Sequence, residues 1–117
     1  MRKSIKAAVA GTVAAGAMLV ATPGAALAAY DHYCTVPINH CSAGSTPANA
    51  QHQVFVATGN IRTNYRIYVR DVNNNRIVYS GYFNSALWKT LSNVYSTYDA
   101  EIYCDTGCAG ATVHIWS

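Results

Sequence analysis

The chain has 117 residues, with eight Lys or Arg against five Asp or Glu, a formal balance of +3, and it carries four cysteines. That length suits one domain with a modest core. The positive surplus sits entirely in Arg2, Lys3 and Lys6, so the rest of the chain is neutral and lacks the general field that draws nucleic acid or anionic lipid.

Arg2, Lys3 and Lys6 precede an apolar run from Ala7 to Val20, which Pro23 and Gly24 break before the small-x-small sequence Ala26-Leu27-Ala28. This is the layout of an export signal. Residues 1–28 are expected to be a signal peptide, and the product is expected to be secreted, extracellular and free of the membrane after cleavage. Cys34, Cys41, Cys104 and Cys108 all follow the expected cut. In an oxidising compartment they read as disulfides. Three pairings are possible; the two local ones, Cys34–Cys41 and Cys104–Cys108, are favoured, each contributing roughly 2 kcal/mol by the chain-entropy argument.

Residues 29–50 hold Pro37, Pro47 and Gly44 and show no sustained period. They read as an irregular amino-terminal arm, with a short edge strand packed on the body as the alternative. From residue 51 the period becomes two, and 51–117 is expected to be the folded domain. Gln53 to Thr58 predicts a strand ended by Gly59-Asn60. Tyr65 to Asp71 places Tyr65, Ile67 and Val69 on one face and Arg66, Tyr68 and Arg70 on the other. Asn73-Asn74-Asn75 is a turn, because asparagine tolerates left-handed φ. Arg76 to Phe83 completes a hairpin, with Ile77, Tyr79, Gly81 and Phe83 sharing a face. Ser85 to Leu91 is too short to settle between one helical turn and a crossing loop. The last stretch, Ala100 to Trp116, predicts two strands joined at Asp105, Thr106 and Gly107, with Gly107 at the position needing positive φ. The predicted fold is all-β: a small disulfide-stapled β-sandwich of five to six short antiparallel strands.

No motif names a reaction, and no catalytic residue, metal or cofactor is expected. His32, Cys34, His40 and Cys41 cluster, but without zinc-finger spacing, and a disulfide loop is the better reading. Asp99 and Glu101 share a strand face, which reads as a solvated strand edge rather than a glycosidase pair. DVNNNR at 71–76 lacks the glycine and closing glutamate of an EF-hand loop. Tyrosine is abundant, with nine residues. Arg66, Tyr68 and Arg70 lie together on one strand, and Tyr82, Tyr103 and Trp116 occupy the polar phase of others. Tyrosine, tryptophan and arginine are the residue types that dominate binding hot spots, so these six are candidate contacts.

The layout of an alanine-rich signal ending ALA, two cysteine pairs and β hairpins resembles the small adaptor subunit of secreted umbrella toxin particles. The killer-toxin-like βγ-crystallin proteins are the second resemblance, although their calcium motif is lacking here. The first resemblance implies a non-enzymatic adaptor that bridges a large repeat toxin and a lectin-bearing subunit. It also implies an inserting arm over Tyr30 to Cys41, adding Tyr30, His32, Tyr33, Val36 and Ile38 to the candidate contacts. The expected function is a secreted protein-binding module of an antibacterial toxin assembly, whose partners are other secreted proteins and not nucleic acid. The alternative is a free-standing antimicrobial or inhibitor protein acting on a cell surface or protease.

Overall fold

The structure is a computed structural model and describes residues 30–117; the expected signal peptide lies outside the described residues. Nine strands follow in order: β1 (Asp31–Thr35), β2 (His40–Ser42), β3 (Thr46–Pro47), β4 (Gln53–Gly59), β5 (Tyr65–Asp71), β6 (Arg76–Phe83), β7 (Trp88–Ser92), β8 (Thr97–Cys104) and β9 (Thr112–Trp116). They form two antiparallel sheets. One has the order β1-β9-β4-β7; the other has β2-β8-β5-β6, with β3 also paired to β8.

Alternation along the central strands builds the core. Val54 and Val56 of β4, with Val113 and Ile115 of β9, point in from the first sheet. Tyr65, Ile67 and Val69 of β5, with Ala100 and Ile102 of β8, meet them from the second, and all nine are fully buried. Burying each branched side chain contributes on the order of 2 kcal/mol. The one long polar side chain here, Tyr65, keeps its hydroxyl satisfied. It donates to the Ser85 carbonyl at 2.8 Å and accepts from the Thr58 hydroxyl at 2.8 Å, which in turn accepts the Leu87 N–H at 2.8 Å.

The β5–β6 hairpin forms where the alternation and the asparagine turn place it, with Asn75 at φ 63. One detail differs. Val69 pairs with Tyr79 but Arg70 pairs with Ile77, so Val78 is an extra, bulged residue. The bulge turns Ile77 to the outer face beside Arg70, not inward with Tyr79.

Three expectations are corrected. The stretch Ala100 to Trp116 is not a hairpin: β8 and β9 belong to different sheets, and 105–111 carries the chain between them. β9 is already flanked by β1 and β4, and β8 by β2, β3 and β5, so neither has a free side for the other. The left-handed glycine of this crossing is Gly110 at φ 95, not Gly107. The stretch from Ser85 resolves as the edge strand β7, hydrogen-bonded along β4. Finally, residues 31–47 follow the alternative reading and not the irregular arm: they form short strands packed on the body at the sheet edges. β1 pairs with β9, β2 and β3 pair with β8, and Val36 sits in the core.

Both disulfides lie where the chain passes between sheets. Cys34 of β1 is bonded to Cys41 of β2, so this bridge ties one sheet to the other. Cys104–Cys108 closes the start of the second crossing. The two crossings run side by side, held by Val36 N–H to Ala111 O (2.7 Å), Gly110 N–H to Val36 O (2.9 Å), Cys108 N–H to Ile38 O (2.8 Å) and Cys104 N–H to Asn39 O (2.8 Å). Intact disulfides fit an oxidising, extracellular setting.

Candidate functional site

The outer face of the five-stranded sheet gathers five of the candidate contacts. Register places three of them in one row with His40 across four strands: His40 opposite Tyr103, Tyr103 opposite Arg66, and Arg66 opposite Tyr82. Tyr68 stands in the next row, between Glu101 and Ser80. Cross-strand neighbours at this spacing pack directly. The His40 ring stacks on Tyr103 with centroids 5.3 Å apart, Tyr68 meets Tyr103 edge-on at 5.8 Å, and the Arg66 guanidinium lies 5.0 Å above the Tyr82 ring. An open depression of about 490 Å³ lies among Arg66, Tyr68, Arg70, Ile77 and Tyr103.

The charges on this face are only partly matched. Arg70 donates to Glu101 at 3.4 Å and also reaches the Asn75 carbonyl at 3.3 Å. Among the described residues Arg66 makes no salt bridge, so its guanidinium is fixed in place by an aromatic ring and still has its hydrogen-bond donors to offer. The Tyr82 hydroxyl donates to the Asp105 carboxylate. That hydrogen bond holds the Tyr82 pKa above the ordinary tyrosine value, because ionising the phenol would set two negative charges against each other.

Asp99 and Glu101 share the outer face as alternation requires, but β8 is an interior strand and not the solvated edge expected. Asp99 accepts the Ser42 hydroxyl and the Gly44 N–H, and Glu101 is taken by Arg70. Both carboxylates are thus engaged in structure. The histidines and cysteines also go separate ways: the cysteines are oxidised, the His32 ring meets the Thr46 hydroxyl at 3.0 Å, and His40 lies on Tyr103. Among the described residues no group of three His, Cys, Asp or Glu could hold a metal ion.

Comparison with known proteins returns a fold and no family. No protein-family model matches the chain, and no curated protein matches it. A solved structure titled "Crystal structure of PirA" is similar at a TM-score of 0.50 and 12% identity, over 75% of this chain and 94% of that one. At that identity the likeness shows the shared sandwich alone.

The remaining candidates scatter. Val36 is 2% exposed and is a core residue, so it is not available as a contact. His32 turns inward to Thr46. Ile38 is exposed on the first crossing, and Tyr30 is exposed just before β1. Trp116 and Tyr33 are on the opposite side of the molecule, on the outer face of the four-stranded sheet. There they join three rings that were not candidates: Phe55, Trp88 and His114. Their alternation phase was readable, since Phe55 sits between Val54 and Val56. What assembles them is the strand order β1-β9-β4-β7, which alternation does not encode.

Proposed function

We propose that the protein is an exported, non-enzymatic binding module that grips another protein through the outer face of its five-stranded sheet. The observation that carries this is the row His40, Tyr103, Arg66 and Tyr82, in which an arginine that makes no salt bridge among the described residues lies over the Tyr82 ring. Arginine and tyrosine fixed in this way bind with little loss of side-chain freedom, which is how hot spots arise. The depression beside them would accept one apolar or acidic side chain of the partner. Work as an adaptor within an antibacterial toxin assembly is the finer reading, supported by the resemblance of the chain's layout to such adaptors.

The partner would be sought in spent culture medium under non-reducing conditions. The protein is expected to elute with a larger partner at fixed stoichiometry, and Arg66→Glu and Tyr103→Ala are each expected to release it while the melting temperature stays unchanged. A wild-type protein that elutes alone and is active alone, or variants that remain bound, would refute this function.

A further inference from the structure

We infer that the opposite face, the outer surface of the four-stranded sheet, is a binding platform for a neutral, extended polysaccharide. Both tryptophans of the chain are on it. Trp116 of β9 lies opposite Phe55 of β4, and Trp88 of β7 lies opposite Ala57. The small Ala57 side chain leaves room for the two indoles to meet across β4, with centroids 5.0 Å apart and planes at 60°. Phe55 backs both, at 5.6 Å from Trp116 and 6.0 Å from Trp88. His114 extends the surface at 4.5 Å from Trp116, and Tyr33 closes it at 6.2 Å from His114. Five rings from four strands thus form one continuous surface.

The rings point away from the inter-sheet core: Trp88 is 60% and Tyr33 68% exposed, while Phe55, His114 and Trp116 are half-buried. A contiguous aromatic surface kept in water marks an interaction site. Its charge selects the ligand. The four strands hold a single basic residue, Lys89, which lies opposite the inward-facing Val56 and reaches over the Tyr79 ring at 5.3 Å. No cation is left on the platform for phosphate or sulfate, which argues against nucleic acid and charged glycans. The one acid within it, Asp31, is taken up by His114. The platform also lacks the arginine that accompanies aromatics on the opposite face and at protein hot spots. What remains is a ligand with an apolar face and a neutral hydroxyl rim, which is a pyranose ring. Its C–H face stacks on indole, while its hydroxyls reach the polar edge at Thr90, Thr112 and the Asp31–His114 pair.

Because both tryptophans lie here, tryptophan emission reports this face alone. The protein would be titrated with cello- and chito-oligosaccharides and incubated with insoluble cellulose and chitin. A saturable change in emission and retention on at least one of these glycans are expected. Trp88→Ala and Tyr33→Ala should each weaken binding by about tenfold, the scale of losing one stacked ring, without moving the melting temperature. Arg66→Glu should leave it unchanged, which separates this inference from the protein-binding role of the other face. Failure to bind any of the four probes, equal binding by Trp88→Ala and Tyr33→Ala, or a face that responds only to a polyanion or a protein would overturn it.

Discussion

Tyr65 shows how much a single buried phenol organises. Its ring is fully buried, and its hydroxyl joins the Ser85 carbonyl to the Thr58 hydroxyl. It thereby ties the end of β4 to the segment leading into β7. Removing the oxygen takes this partner from the Ser85 carbonyl and from the buried Thr58 hydroxyl, which keeps only the Leu87 N–H. Tyr65→Phe is therefore expected to cost about 1–3 kcal/mol in denaturant unfolding, with no change in the secondary structure seen by circular dichroism. Burial also raises the Tyr65 pKa from 10.0. The unfolded chain then ionises first, so stability should fall as the pH rises through 10.0 and on toward the folded value. The phenylalanine variant should lose less stability over that alkaline range, and parallel curves for the two proteins would show that this phenol does not titrate as described.

The short strands β1 to β3 behave as parts of the body. β1 covers one side of β9, β2 and β3 cover one side of β8, and Val36 fills the core between them. A chain that begins at Gln51 would leave both central strands with open edges and a hole at Val36. It is expected not to unfold cooperatively, whereas Val36→Ala in the full chain should cost about 2 kcal/mol; a truncated form as stable as the parent would restore the picture of a detachable arm. These strands were hard to read from the sequence because they have five, three and two residues and are interrupted by Pro37 and Gly44. β7 was obscured in the same way. The β5–β6 hairpin was legible because a seven-residue alternation and an asparagine turn agree. Alternation also put Arg66, Tyr68, Arg70, Tyr82 and Tyr103 on outer faces. It gives the face of each residue but not the neighbour of each strand, so it joined β8 to β9 and could not unite Trp88 with Trp116. Ile77 escaped because a bulge resets the phase without marking the sequence.

At the scale of the molecule, the two disulfides fasten a single end of the sandwich, where both crossings pass side by side. Cys34–Cys41 spans the two sheets, so replacing both residues by serine should cost about 2–3 kcal/mol. Amide exchange should then accelerate first at Val36, Cys104, Cys108 and Gly110, the donors of that clamp; uniform acceleration throughout would mean that the bridge acts only on the unfolded chain. The back-to-back sheets have a further effect. Whatever rests on Arg66 and Tyr103 is separated by the whole thickness of the core from whatever rests on Trp88 and Trp116. On the two roles proposed above, both ligands would be carried at once without competing for space, and the described body would hold a protein on one side and a glycan surface on the other.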